Sequence, residues 1–175
     1  MEVIILEKEN NNKKVTIVGF GLIGSSLAHV IKRANLAGHV VCGDKSQDVC
    51  NRVLELGLAQ DATTDLPQAV KDSELVILSV PVGACGSVMK EIAGALAEGA
   101  VVTDVGSVKQ AVVEAVMPHM PEHAHFVPAH PIAGTEFSGP DAGFAELFEG
   151  RWCILTPSPQ TEVKAMEKVT ALWDA

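Results

Sequence analysis

The chain has 175 residues, a formal net charge of −9 at pH 7, 47% apolar residues and only 4% aromatic residues. This length and apolar content are sufficient for one globular domain with a proper hydrophobic core. The acidic charge and the scarcity of aromatic side chains exclude a basic or base-stacking surface for nucleic acid.

Residues 1–14 are predicted to form a flexible leader, and residues 15–175 are predicted to form the domain. The apolar run at residues 3–6 is too short for a signal peptide, and no stretch approaches the length of a membrane span. The four cysteines form no C-x-x-C pair, so we expect reduced thiols and a cytoplasmic location. No metal site is expected, because Pro121 prevents His119, His123 and His125 from sharing a helix face.

Apolar runs and helical periodicities alternate from residue 15 onwards. The apolar, β-branched runs predict strands at residues 15–19, 39–43, 75–79, 101–104, 125–127 and 152–155. The helical patterns predict helices at 23–33, 47–56, 86–97 and 108–117, helical turns after Asp65 and at 142–147, and an amphipathic helix from Thr161. This alternation predicts an α/β fold of the Rossmann type, with a doubly wound, mainly parallel sheet.

Three glycines follow the first strand with the spacing G-x-G-x-x-G, and a helix follows them. In a dinucleotide site, Gly19 allows the tight turn, Gly21 lets the backbone approach a pyrophosphate, and Gly24 lets the helix pack against the strand. The pyrophosphate lies at the helix N-terminus, where free N–H groups favour negative charge. The alternative is a glycine-rich turn that binds no ligand.

An acidic residue, Asp44, follows the second strand 20 residues after Gly24. A carboxylate at this position accepts hydrogen bonds from the ribose hydroxyls and repels a 2′-phosphate, so NAD is predicted in preference to NADP. Lys45 beside it weakens this inference, because an ammonium group neutralises phosphate. The alternative is that Asp44 caps the next helix.

Ligands of open α/β sheets bind at the carboxyl ends of the strands. Polar or glycine residues stand at each of the predicted strand ends. The predicted cofactor-binding residues are Gly19, Phe20, Gly21, Leu22, Ile23, Gly24, Asp44, Lys45, Ser79, Val80, Pro81 and Gly106.

Two further residues at strand ends are candidates for catalysis. His130 has a side chain whose pKa suits proton transfer near neutral pH, and oxidation of an alcohol needs a group that takes the hydroxyl proton. The alternative is an ordinary loop histidine. Ser107 precedes the predicted helix at residue 108, where it is also suited to be the N-cap.

The segments VTIVGFGLIGSSLA, LVILSVPV, VVTDVGSVKQ and HFVPAHPIAGTEFSGPDAGFAELFEGRWCILTP resemble the nucleotide-binding half of the prephenate and arogenate dehydrogenases. The resemblance runs from about Val15 to the end of the chain. It implies NAD(P)-dependent oxidative decarboxylation of prephenate or arogenate in tyrosine biosynthesis. It also implies that His130 acts on the ring hydroxyl, that Ser107 orients this hydroxyl and the nicotinamide, and that Glu136 lies at the active-site entrance.

The sequence departs from the family's pattern in two respects. Phe137 stands where many relatives carry a polar or basic residue. Nothing in the chain matches the C-terminal helical domain that forms the family's homodimer and binds the substrate carboxylates, so we expect a nucleotide-binding half with weak activity alone. Another Rossmann oxidoreductase and a non-catalytic nucleotide-binding domain remain as alternatives. The choice between prephenate and arogenate stays open.

Overall fold

The computed structural model describes residues 13–175, so residues 1–12 of the predicted leader lie outside the described part of the chain. A six-stranded parallel sheet is the centre of the fold. Its strands are β1 Lys14–Val18, β2 His39–Gly43, β3 Asp61–Thr63, β4 Leu75–Leu78, β5 Val101–Asp104 and β6 His125–Val127. Their order across the sheet is β3-β2-β1-β4-β5-β6, so the chain reverses its direction of travel between β1 and β4. In an open α/β sheet, this reversal opens a ligand crevice.

Helices cover both faces of the sheet. They are α1 Leu22–Ala34, α2 Gln47–Glu55, α3 Leu66–Val70, α4 Cys85–Ile92, α5 Lys109–Val116 and α6 Val163–Trp173. Successive strand residues point to opposite faces, so Ile17 packs into a cluster with α1, α2 and α6, and Val18 packs into a cluster with α3, α4 and α5. The prediction of a doubly wound, mainly parallel α/β fold is confirmed.

A second, two-stranded antiparallel sheet follows β6. It consists of β7 Ala129–Pro131 and β8 Cys153–Leu155, with His130 opposite Ile154. The predicted strand at 152–155 is therefore β8, and it is antiparallel to its partner. The strand β7 was not predicted, because three residues that include a proline show no apolar run. His130 lies inside this strand, not in a loop after β6.

Other differences concern short elements. The edge strand β3 was not predicted, because the sequence Asp61–Thr63 has no apolar alternation. The predicted helices at 86–97 and 108–117 are shorter, and each ends in a 3₁₀ turn, Ala93–Ala95 and Met117–His119. The helical turn at 142–147 is a pair of 3₁₀ turns, Pro140–Ala142 and Ala145–Phe148. Among residues 13–175, none of the helices has the length and hydrophobicity needed to cross a membrane.

The start of α1 lies in close contact with the end of β1. A Cβ atom on Gly24 would lie 2.1 Å from the carbonyl oxygen of Gly19 and 3.2 Å from the Ile17 side chain. Because the nearest atom belongs to the backbone, a larger residue cannot be accommodated by a change of rotamer. Gly24 therefore allows the helix and the strand to pack closely, which is the role that the sequence predicts for it.

We expect Gly24→Ala to lower the free energy of unfolding by about 1–3 kcal/mol, because the added methyl group overpacks this contact. The matched control is Gly94→Ala, since a Cβ atom there would have no atom within 4 Å. The control should change stability by no more than about 0.5 kcal/mol. Urea denaturation of the three proteins measures the difference, and equal stabilities for the two variants would contradict the role given to Gly24.

Candidate functional site

A cleft of about 550 Å³ opens at the carboxyl ends of the strands, where the chain reverses between β1 and β4. All predicted cofactor-binding residues except Gly24 line it, and Ser107 lines it as well. His130 and Glu136 do not line it. Within residues 13–175, no three histidine, cysteine, aspartate or glutamate side chains are grouped so as to hold a metal ion.

The glycine turn forms one wall of the cleft. Gly19 has a φ of +92°, and its N–H donates to the Gly43 carbonyl over 2.8 Å. A Cβ atom on Gly19 would lie 2.6 Å from the Ser79 carbonyl oxygen, so both its backbone conformation and the close approach of β4 require glycine. A Cβ atom on Gly21 would have nothing within 4 Å, so this residue keeps the cleft open to a ligand.

The N-terminus of α1 faces the cleft without a side-chain cap. Its N-cap residue is Gly21, and no acidic residue lies in the first turn. The first N–H groups of a helix lack partners within the helix, and the helix dipole favours a negative charge at this end. The arrangement therefore fits the pyrophosphate of a dinucleotide.

The Asp44 carboxylate braces the glycine turn from the end of β2. One of its oxygens accepts a hydrogen bond from Phe20 N over 3.0 Å, and the other accepts one from Ser46 N over 3.0 Å. The N-cap of α2 is Ser46, whose hydroxyl accepts from Val49 N over 3.3 Å, so the alternative role of Asp44 as a cap is wrong. The carboxylate is half-buried and lines the cleft, with lone pairs left for hydroxyl groups of a ligand.

Ser107 is exposed at the opposite side of the cleft. The helix α5 begins at Lys109, two residues later, and Ser107 does not cap it. Within residues 13–175, the Ser107 hydroxyl makes no hydrogen bond, in contrast to the capping role considered for it. The hydroxyl is therefore free to bind a ligand.

A buried ion pair at the end of β5 was missed by the sequence analysis. The fully buried Asp104 carboxylate accepts hydrogen bonds from Gly106 N over 2.8 Å, from Ala129 N over 3.2 Å and from Lys109 Nζ. Lys109 Nζ also donates to the Ala129 carbonyl oxygen over 2.5 Å. The signal was present in D-x-G-S-V-K, where a carboxylate ends an apolar strand and a lysine follows five residues later.

The ion pair links the strand of His130 to this edge of the sheet. The preceding residue, Ala129, forms hydrogen bonds with both Asp104 and Lys109. Ala129 and Pro131 are buried, whereas His130 is half-buried and points to the other face of the two-stranded sheet. Exposed apolar side chains share that face: Ile132, Trp152 and Ile154. His130 therefore lies on a small apolar surface, and its strand is linked through Asp104 to the turn of Ser107, which lines the cleft.

Glu136 and Phe137 are exposed, and they lie between β7 and the 3₁₀ turn at Pro140–Ala142. The segment after this loop is fixed to α1 and α2. The Phe144 N–H donates to Ser26 Oγ over 3.1 Å, and Arg52 Nε donates to Asp141 over 3.0 Å. The Arg52 guanidinium lowers the pKa of the Asp141 carboxyl group. Both ends of the loop that carries Glu136 are thus attached to the core of the domain.

Residues 27–175 match the family described as "Prephenate dehydrogenase, nucleotide-binding domain". The chain is 42% identical over 162 residues to the cyclohexadienyl dehydrogenase of Zymomonas mobilis. The matched segment covers 93% of this chain and 55% of the relative. It is 34% identical to the prephenate dehydrogenase of Bacillus subtilis, over 93% of this chain and 44% of the relative. The chain thus spans about half the length of the curated relatives that it matches.

Solved structures give the same result. The prephenate dehydrogenase of Aquifex aeolicus, in complex with hydroxyphenyl propionate and NAD+, superposes with a TM-score of 0.85 at 33% identity. The match covers 93% of this chain and 56% of that chain. The Synechocystis arogenate dehydrogenase superposes with a TM-score of 0.83 at 28% identity, over 92% of this chain and 56% of that chain.

The stability of the domain should decrease at alkaline pH because of its buried thiols. Burial raises the pKa of the Cys153 thiol from 9.0 to about 11. The pKa of the Cys42 thiol is raised still more strongly, mainly by burial and to a smaller extent by the neighbouring Cys50 and Asp44. Above about pH 9, the unfolded chain loses thiol protons that the folded chain retains. The free energy of unfolding should then fall by up to about 1.4 kcal/mol per pH unit for each such thiol.

Urea denaturation between about pH 8 and pH 11 measures this decrease. The Cys42→Ala variant should show a shallower decrease than the wild-type chain, since one of the retained protons is gone. The comparison removes the contribution of lysine titration, which both proteins share. Parallel curves for the two proteins would contradict the prediction.

Proposed function

The chain belongs to the family of prephenate dehydrogenase nucleotide-binding domains, and from this premise we propose that it binds NAD+ in the cleft and serves oxidative decarboxylation of prephenate or arogenate. The observation that carries the proposal is the meeting of three groups at one edge of the sheet. These are the uncapped glycine turn, the free Ser107 hydroxyl and the ion pair that holds the strand of His130.

Different residues of the cleft bind different parts of the cofactor. The N-terminus of α1 receives the pyrophosphate, and the Asp44 carboxylate accepts hydrogen bonds from the ribose hydroxyls of the adenosine half. Ser79, Val80 and Pro81 at the end of β4, with Gly106 at the end of β5, line the remaining part of the cleft, where the nicotinamide half lies. NADP is the alternative cofactor, because the exposed Lys45 is close enough to the ribose site to line the same cleft.

Bound NAD+ supplies the hydride acceptor. The substrate loses a hydride from the ring carbon that carries the hydroxyl group, and it loses carbon dioxide from its ring carboxylate, whose bonding electrons complete the aromatic ring. In the proposed reaction, an imidazole nitrogen of His130 accepts a hydrogen bond from the ring hydroxyl and draws its proton away as the hydride leaves. Ser107 orients this hydroxyl relative to the nicotinamide, and Glu136 lies at the entrance.

The substrate class, the cellular location and the oligomeric state follow from the same proposal. The relatives of the family are named for cyclohexadienyl, prephenate and arogenate substrates, so the substrate class is a cyclohexadienyl carboxylate. All four cysteines are free thiols, which supports a cytoplasmic location. A homodimer is proposed for a protein of the relatives' full length.

Binding of NADH and NADPH tests the cofactor assignment. We expect the chain to bind NADH more tightly than NADPH, because the Asp44 carboxylate repels a 2′-phosphate. Asp44→Asn should weaken NADH binding by about 10-fold, through loss of charge-assisted hydrogen bonds, and should reduce the preference for NADH. The matched control is Asp48→Asn, an exposed residue in the first turn of α2 that does not line the cleft. Fluorescence titration measures the affinities of the three proteins for both cofactors, and equal affinities of the wild-type chain for NADH and NADPH would refute the assignment.

Turnover tests the role of His130. In a polypeptide of the relatives' full length that carries this domain, His130→Asn should lower kcat by about 10²- to 10⁴-fold, because a general base is lost. NADH affinity should stay within about twofold of the wild-type value, since His130 does not line the cleft. The control is His119→Asn in the 3₁₀ turn after α5, which should leave both quantities unchanged. Retention of full turnover by His130→Asn would show that the base has been assigned wrongly, and NADH binding without any turnover in the wild-type protein would favour a non-catalytic nucleotide-binding domain.

A further inference from the structure

We propose that Lys109 is a positioning residue that, together with Asp104, fixes the backbone of His130 relative to the cleft. The inference rests on the proposed function, since it assumes that His130 acts on the substrate. It concerns residues that lie behind the catalytic groups, where neither member of the pair lines the cleft.

The two-stranded sheet that carries His130 is packed on one face only, where Ala129, Cys153 and Leu155 join the hydrophobic cluster of α1, α2 and α6. It shares no strand pairing with the six-stranded sheet, and an isolated pair of short strands is only marginally stable in water. One face of this small sheet is also exposed, with Trp152 at 82% and Ile154 at 50% exposure. Packing on that face therefore does not fix its orientation within the described part of the chain.

The ion pair adds directional bonds to this packing by holding both backbone groups of Ala129. The Ala129 N–H donates to one Asp104 oxygen over 3.2 Å, and the Ala129 carbonyl accepts from Lys109 Nζ over 2.5 Å. The carbonyl of Ala129 and the N–H of His130 belong to one planar peptide group. His130 itself is paired with Ile154 on β8. The peptide group before His130 is therefore held by Lys109 on one side and by the strand pairing on the other, and its rotation would break the part-buried hydrogen bond from Lys109.

The same carboxylate also fixes the wall of the cleft. Its second oxygen accepts from Gly106 N over 2.8 Å, one residue before Ser107. Asp104 thus sets the distance between the strand of His130 and the turn of Ser107. Lys109 binds this second oxygen and the Ala129 carbonyl, whereas Gly106 keeps its own bond to Asp104. A change at Lys109 should therefore affect His130 more than the nucleotide cleft.

Stability alone is a weak reason for such a pair. Asp104 is completely buried and the Lys109 side chain is 15% exposed, so both charges lose most of their hydration. Replacement of a buried ion pair by apolar residues is often neutral or even stabilising. The pair forms two hydrogen bonds with the backbone of Ala129. This geometry is better explained by the need to place His130 accurately for proton transfer, because a displacement of about 1 Å can lower the rate by about 10²-fold.

The test is a double-mutant cycle in a polypeptide of the relatives' full length. We expect Lys109→Met to lower kcat by about 10- to 100-fold, while the NADH dissociation constant changes by less than about twofold. In the His130→Asn background, Lys109→Met should lower kcat by less than about twofold, because a positioning residue acts only through the group that it positions. Lys168→Met is the matched control, since Lys168 on α6 forms a salt bridge with Glu74, and neither residue lines the cleft.

Lys109→Met leaves a buried carboxylate without its partner, so the variant could fail to fold. The double variant Asp104→Asn/Lys109→Met removes both charges and should fold, yet it should show the same loss of kcat. If Lys109→Met lowered kcat by the same factor in the His130→Asn background as in the wild-type protein, the positioning role would be wrong. A wild-type kcat in either Lys109 variant would also overturn it. If His130→Asn itself turns over at the wild-type rate, the proposed function fails instead, so the two failures are distinguishable.

Discussion

The approach of α1 to the end of β1 without an intervening side chain is the constraint on which the cleft depends. Gly24 lies against the carbonyl of Gly19, and Gly19 lies against the carbonyl of Ser79 at the end of β4. A side chain at either glycine would separate the helix from the two central strands. Because both are absent, the helix begins directly over the crevice, and its unpaired N–H groups are available to a ligand.

Two carboxylates at the ends of parallel strands then give the edge of the sheet its shape. Asp44 binds the amides of Phe20 and Ser46, and Asp104 binds those of Gly106 and Ala129. The two differ in exposure. Asp44 is half-buried and lines the cleft, whereas Asp104 is completely buried and has an ammonium partner. The first can therefore both support a loop and bind a ligand, while the second only supports loops.

The sequence was sufficient for the parts of the structure that local patterns determine. The apolar strand runs, the glycine spacing and the helical turn after Asp65 all appear in the fold as predicted, and one cleft contains the residues from Gly19 to Ile23. It was insufficient where a long-range contact decides. Whether Asp44 and Ser107 cap helices depends on where α2 and α5 begin, and pattern-based boundaries are uncertain by a few residues. The role of Lys109 depends on the backbone of Ala129, which no local motif reveals.

The attachment of the segment after Glu136 has an entropic consequence. Residues 132–139 leave β7, which the ion pair fixes, and end at the segment that Ser26 and Arg52 hold against α1 and α2. A loop with both ends fixed has far fewer conformations to lose than a free tail of the same length. In the proposed function, ordering Glu136 over a bound molecule therefore costs less of the association free energy.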